Sequence, residues 1–141
     1  MSAALNDAVR AFLAEQPVGV LATSRKDGST RQSVVYHVVD GDRILISTMS
    51  DRGKTRDVLR TGRASYAVLG HQKPFPQVIV EGPARVLCEG ISETTMAIFE
   101  KVSGSRPASP LTDEMLAGMK RVILEIAIEK VRDVSYVAGG G

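Results

Sequence analysis

The chain has 141 residues, 43% of them hydrophobic, 24% charged and 4% aromatic, a size and balance that fit one domain able to bury a core without disulfides or structural metals. One cysteine, Cys88, excludes a disulfide framework and multi-cysteine zinc or iron–sulfur sites and fits a reducing compartment, while His37 and His71 alone leave little for a histidine-rich metal site. A net charge of +2 is too small for an obvious nucleic-acid protein unless the basic residues cluster.

The first sixteen residues, MSAALNDAVRAFLAEQ, place Leu5, Val9, Phe12 and Leu13 at helical spacing, and Pro17 ends the helix at Gln16. Asp7, Arg10 and Glu15 stand where a signal peptide keeps its uncharged segment, and no apolar run nears the roughly 20 residues of a membrane-spanning helix. The expectation is a cytoplasmic protein. Val18 to Thr23, Arg31 to Val39 and Arg43 to Thr48 read as three strands joined by the turns Lys26-Asp27-Gly28 and Asp40-Gly41. Ser50 or Asp51 is expected to cap a short helix to about Arg60, with Gly62 as its left-handed terminus. Ala64 to Leu69, Gln77 to Val80 and Ala84 to Cys88 read as further strands, with a bend at Gly82-Pro83. Helices capped by Ser92 and Thr112 flank a loop, Ser103 to Pro110, that is a candidate flap. Val122 to Ile128 alternates as a half-buried strand that continues through Val134 to Val137, and 138–141 reads as a frayed tail. Seven strands with short helices and no βαβ rhythm predict a mostly β (α+β) antiparallel barrel in one domain, 1–141.

Three segments carry chemistry. Ser47-Thr48-Met49-Ser50-Asp51-Arg52-Gly53-Lys54-Thr55-Arg56 leaves a strand through two hydroxyls and delivers three cations at a helix start, where free N–H groups and the helix dipole suit a phosphate. Arg31 begins a strand that alternates Arg31, Ser33, Val35 with Gln32, Val34, Tyr36, apolar enough to line a flat conjugated ring. Phe75-Pro76-Gln77 precedes the strand Val78-Ile79-Val80, so that Gln77 offers a donor or acceptor from a strand end. Read without reference to any ligand, the same segments are a solvated basic turn, an ordinary barrel strand and an exposed strand end. His37 reads as structural or exposed, Cys88 as a small core residue, His71 as a residue of a pocket mouth, and Glu125 and Glu129 as one polar strand face.

In this order, GVLATSRKDGSTRQSVVYHV, RILIST with DRGKTRDVLRTGRAS, and QVIVEGPARV resemble the flavin-binding split β-barrel superfamily, typified by pyridoxamine 5′-phosphate oxidase and the deazaflavin-dependent reductases. The resemblance spans roughly Val18 to Val137 and implies a homodimer with its cofactor at the subunit interface. It gives ring-side roles to Arg31, Gln32, Ser33 and Val34, and phosphate-side roles to Ser47, Thr48, Arg52, Gly53, Lys54, Thr55 and Arg56. Phe75, Pro76 and Gln77 would reach a cofactor held mainly by the other subunit. The oxidase proper has a basic substrate-binding residue where this chain has Tyr36, and a longer C-terminal segment, which counts against pyridoxamine phosphate as substrate.

The compact length and SDRGKTRDVLRTGRAS look more like the small reductases that use coenzyme F420, whose lactyl phosphate and oligoglutamate tail exceed FMN in negative charge. Arg25, Lys26, Arg31, Arg52, Lys54, Arg56, Arg60 and Arg63 lie in one stretch that suits such a tail, with FMN as the alternative. The implied activity is hydride transfer between the deazaflavin and an electron-poor conjugated small molecule, with no metal. An FMN-dependent oxidase or reductase and a non-catalytic flavin, deazaflavin or haem carrier are the competing readings. Tyr36 and Tyr66 offer phenols, but a strand tyrosine usually packs with its hydroxyl at the surface, so no catalytic residue is assigned. Little aromatic interleaving accompanies the basic stretch, which argues against nucleic acid as a partner.

Overall fold

The computed structural model describes residues 5–137; the expected tail and the first four residues of the expected N-terminal helix lie outside them. Helix α1 spans Asp7–Glu15, its start capped by the Asn6 side chain accepting from the Val9 N–H. Strands β1 (Val18–Ser24), β2 (Thr30–Asp40) and β3 (Arg43–Met49) form the expected meander. Then follow α2 (Gly53–Thr61), β4 (Arg63–Leu69), β5 (Gln77–Leu87), α3 (Ser92–Ser103), α4 (Asp113–Gly118), β6 (Arg121–Ala127) and β7 (Lys130–Asp133).

All pairings are antiparallel, in the order β4-β1-β2-β3-β6-β5-β7, and β4 also pairs with β5, which closes six strands into a barrel with β7 added against β5. Two long strands change partner midway. β2 pairs with β1 through Tyr36 and with β3 only from His37 onward. β5 pairs with β4 through Pro83 and with β6 from Ala84 onward. The two strands expected around Gly82-Pro83 are therefore one, since the ladder runs through both residues and only the neighbour changes. Beyond the His37↔Ile46 pair, β2 and β3 separate, which leaves the outer face of the barrel open between Tyr36 and Ser47.

The barrel interior holds the main core, including Leu21, Ile44, Ile46, Tyr66, Val78, Val80, Leu124 and Ile126. A second cluster, Leu45, Ile91, Ile98, Leu116 and Ile123, lies on the outer face of β3 and β6 under α3 and α4. Each fully buried isoleucine contributes about 1.5–3 kcal/mol, so Ile91 and Ile98 fix α3 firmly to the barrel. β6 is therefore buried on both faces rather than half-buried, and Glu125 is satisfied there by Arg43 and Arg85 instead of by water. Glu129 lies beyond β6 and pairs with Arg63.

Other expectations are corrected by local contacts. Neither Ser50 nor Asp51 caps α2, which begins at Gly53 after an Arg52 that makes no side-chain cap. Ser92 is the first residue of α3, and its hydroxyl donates to the Leu111 carbonyl, whereas Thr112 does cap α4 by accepting from the Met115 N–H. Gly62 is left-handed at the end of α2, as its position suggested. Val134 to Val137 forms a turn, and the last strand is Lys130–Asp133. Cys88 is exposed just past the end of β5. The Ser103 to Pro110 loop is tied to α3 by Arg106, which pairs with Glu93 and Glu100.

His37 is wholly buried, 2.8 Å from the Leu13 carbonyl through Nε2 and 2.6 Å from the Tyr66 hydroxyl through Nδ1. A carbonyl only accepts, so Nε2 carries the proton and Nδ1 accepts from Tyr66, whose hydroxyl is thus internal rather than at the surface. Burial, reinforced by the Lys101 ammonium, lowers the His37 pKa from 6.5 to about 4. The unfolded chain therefore binds the extra proton first, and stability falls as pH drops below 6.5. Urea unfolding is expected to show about 2 kcal/mol less stability at pH 5 than at pH 7, with NMR finding His37 still neutral in the folded protein at pH 5. A flat profile over that range would show that His37 is not enclosed.

Candidate functional site

The opening between β2 and β3 is a cavity of about 350 Å³. Alternation along the strands puts Val34 and Tyr36 of β2, Ser47 and Met49 of β3, and Arg121 of β6 on the outer face of the barrel, and Phe99 and Val102 of α3 form the facing wall. Arg52 and Lys54 close the end at the start of α2. Val34 is 73% exposed and Tyr36 is 47% exposed, so the cavity floor is an apolar strip open to a flat ligand.

Its charge is one-sided: among the described residues, three cations and no carboxylate line it. Lys54 is half-buried, and burial together with the repulsion of Arg52 and Arg31 pushes its ammonium below the ordinary lysine value. No carboxylate lies within 4.0 Å of it among the described residues. A positive charge in this position is stabilised by an anion, and the uncapped N-terminus of α2 adds donors to the same place.

The expected site residues divide into three groups. Val34, Ser47, Thr48, Arg52 and Lys54 line the cavity, together with Val35. Arg31, Gly53, Thr55 and Arg56 surround its cationic end without lining it. Arg31 turns to the opposite face of β2 and donates through Nε to Asp57 Oδ2 at 2.8 Å, passing so close over Gly53 that a Cβ there would meet its guanidinium at 2.3 Å. The Thr55 hydroxyl is buried and donates to the Met49 carbonyl, and Arg56 donates to the Asp51 carbonyl. Gln32 and Ser33 lie further along β2, outside the cavity.

Phe75, Pro76 and Gln77 are not brought to this cavity within the chain. Gln77 donates to Asp133, Phe75 is exposed with a φ of 59°, and Pro76 lines a separate cleft of about 330 Å³ with Phe12, Gln16 and His71. A third cleft, about 420 Å³, lies between Thr23, Thr30 and Ser65. It is slightly larger, but its charged residues, Arg63 and Glu81, are already paired with Glu129 and Arg132. Size favours that cleft and unmet charge favours the first; charge is the better guide to an anionic ligand.

Asp57 is the residue that sequence reasoning missed. Buried on α2, it accepts from Thr23 of β1, Arg31 of β2 and Arg60 of its own helix. Burial pushes its carboxyl up, but the bonds from Arg31 and Thr23 outweigh this and hold it below the ordinary value. It ties the middle of α2 to the barrel and absorbs two of the cations of the basic segment. Phe99, Val102 and Arg121 were also unassigned, because nothing local to them signals a cavity that forms only when α3 folds back over β2 and β3.

Among the described residues, no group of three or more His, Cys, Asp or Glu could hold a metal ion, and no helix is long and apolar enough to cross a membrane.

Comparison with known proteins agrees with this fold. In fold, the chain is similar to a conserved hypothetical protein from Mycobacterium tuberculosis, with 22% identity over 91% of this chain and 83% of that one and a TM-score of 0.76. It is similar to an F420 reductase, with 20% identity over 85% and 93% of the two chains and a TM-score of 0.69. It is also similar to a FAD-binding protein from Mesorhizobium loti, with 20% identity over 90% and 92% and a TM-score of 0.67. At these identities the likeness is one of fold. The family model for pyridoxamine 5′-phosphate oxidase matches residues 5–135, and a match over nearly the whole chain makes this protein a member of that family of flavin-binding split barrels.

Proposed function

We propose that the protein is an F420-dependent oxidoreductase that works on electron-poor conjugated small molecules. The observation that carries this reading is the cavity with three cations and no carboxylate at the edge of an apolar strip, which suits a planar ring bearing a phosphate. A structural neighbour that is an F420 reductase supports it. In this reading Arg52, Lys54 and the α2 N-terminus hold the phosphate, and Val34 and Tyr36 lie under the ring, with Phe99 and Val102 across from them. The chemistry supplied by the bound deazaflavin is hydride transfer to an electron-poor carbon. The residues of the chain orient the ring and substrate face to face and exclude water. Among the described residues Tyr36 is the one tyrosine that lines the cavity, and it is half exposed.

The same reading makes the active form a homodimer. The outward residues Val34, Val20, Ala67 and Ile79 are register neighbours across β2, β1, β4 and β5, and form an apolar row that a second copy can cover. Phe75, Pro76 and Gln77 of that copy would then complete the cavity. A monomer in sedimentation equilibrium removes these three residues from the site.

The visible spectrum of the purified protein, with fluorescence titrations of F420 and FMN, tests the cofactor. F420 binding with turnover of an enone or quinone is expected. FMN binding without an F420 response makes it a flavin enzyme instead, and F420 binding with no oxidation of its reduced form across an acceptor panel makes it a carrier. Lys54→Ala is expected to weaken cofactor binding by roughly 1.5–3 kcal/mol, typical of a hydrogen bond to a charged group. Unchanged affinity would remove the phosphate assignment.

A further inference from the structure

We propose that Arg121 is a ligand-binding residue of this cavity, and that the molecule held there carries a second anion, a carboxylate, apart from the phosphate taken by Arg52 and Lys54. The proposal rests on the phosphate reading above.

Arg121 opens β6 opposite Met49 of β3, so the two side chains leave the outer face of the barrel together. From there the two cationic groups diverge. Arg52 reaches the Met49 Sδ at 3.5 Å, while Arg121 runs along β3 to place Nη1 3.5 Å from the Ser47 Oγ and its guanidinium 5.6 Å from the centre of the Phe99 ring. The cavity thus has two positive poles, one at the start of α2 and one under α3.

The pairing of the other arginines shows what Arg121 lacks. Of the twelve in the chain, Arg10, Arg31, Arg43, Arg60, Arg63, Arg85, Arg106 and Arg132 each have a carboxylate within 4.0 Å. Arg25 and Arg56 donate to the backbone carbonyls of Thr30 and Asp51. The remaining two, Arg52 and Arg121, both line this cavity, and their side-chain polar contacts among the described residues are a thioether and a hydroxyl at the limit of hydrogen-bond distance. Arg121 is nevertheless positioned: its guanidinium lies over the Phe99 ring at cation–π distance, and Phe99 sits on the helix anchored by Ile98. A planar fork over an aromatic ring, whose donation among the described residues is one 3.5 Å contact to a hydroxyl, matches a carboxylate through two parallel bonds.

The test compares the full-length protein with Arg121→Met, which keeps an unbranched side chain against Phe99 and removes the charge. The probes are coenzyme F420, which adds glutamate carboxylates to its phosphate, and FMN, which has the phosphate alone. Arg121→Met is expected to weaken F420 binding about tenfold or more and to leave FMN within about twofold, while Lys54→Met weakens both. If F420 affinity stays constant, a rise of about tenfold in KM for a carboxylate-bearing enone, with no change for its methyl ester, places the carboxylate on the substrate and supports Arg121 equally. Equal losses for F420 and FMN, or no loss for either together with equal KM values for acid and ester, overturn the proposal. Should the wild-type chain bind neither cofactor, the phosphate reading fails on its own. Arg121 is then judged by its Nε–Hε NMR signal during titration with γ-glutamylglutamate: a saturable shift sustains the proposal and an unmoved signal overturns it.

Discussion

Asp57→Ala is expected to lower stability by about 3 kcal/mol, at the low end of the range for breaking a buried ion pair because Arg31 is partly exposed and can rehydrate. For a chain of this length the melting temperature should fall by about 10 °C. The loss has a specific origin. One carboxylate joins Thr23 on β1, Arg31 on β2 and Arg60 on α2, so its removal loosens α2 from the barrel, releases the Arg31 that packs over Gly53 at the helix start and leaves the Thr23 hydroxyl without its acceptor. Because Lys54 and Arg52 sit at that helix start, cofactor affinity should fall as well, although Asp57 does not line the cavity. Asp57→Asn separates the two roles: it keeps an acceptor for Thr23 and loses the charge that holds Arg31, so its stability should lie between wild type and Asp57→Ala. The pH dependence follows from the lowered carboxyl pKa. The stabilisation is complete above the unfolded value of 3.8 and is lost as pH falls through the lower folded value. A urea midpoint that Asp57→Ala leaves in place would show that the hub is dispensable.

Gly82→Ala is expected to be about as damaging, for a steric rather than an electrostatic reason. A Cβ at this position would lie 1.8 Å from the Ala127 carbonyl oxygen and 3.0 Å from the Glu129 nitrogen. Both are backbone atoms held in the sheet, since Glu129 donates to the Glu81 carbonyl and Ile128 to that of Asp42. Overpacking typically costs 1–3 kcal/mol, and an obstacle that cannot rotate away puts this substitution near about 3 kcal/mol. The affected place is where β5 passes from β4 and β7 to β6, so the barrel's closure is what loosens. Thermal unfolding is the direct measurement, and a melting temperature within about 1 °C of wild type would mean that β5 and β6 are further apart at this point. Gly53→Ala is the informative contrast: its Cβ would meet the end of the Arg31 side chain, which can move, so its effect should fall on cofactor affinity more than on stability.

Much of the fold is legible in local chemistry. The two turns with Gly28 and Gly41 at positive φ, the helix stop before Pro17 and the left-handed Gly62 each depend on a few adjacent residues. What was misread depended on neighbours far along the chain. The Ser92 hydroxyl was free to cap α3 until Leu111 took it, and Glu125 looked solvated until Arg43 and Arg85 met it on a strand covered from both sides. The candidate site shows the same division. Ser47 to Arg56 was visible because hydroxyls, a glycine and cations at a helix start are contiguous, whereas Phe99, Val102 and Arg121 come from elements more than forty residues away.

By itself, then, the sequence determined the barrel class, the meander, the family and the basic segment that opens α2. The tertiary structure decided which of those cations remain available. Charge pairing is set by distance in space, and the fold hands Arg31 and Arg60 to Asp57 and Arg63 to Glu129 while leaving Arg52 and Lys54 without a carboxylate partner among the described residues. It also set where the two long strands change partner, and so where β2 and β3 part to leave room for a ligand. A period-two pattern says which residues share a face, but pairing depends on the strand that arrives alongside, and that strand comes from elsewhere in the chain.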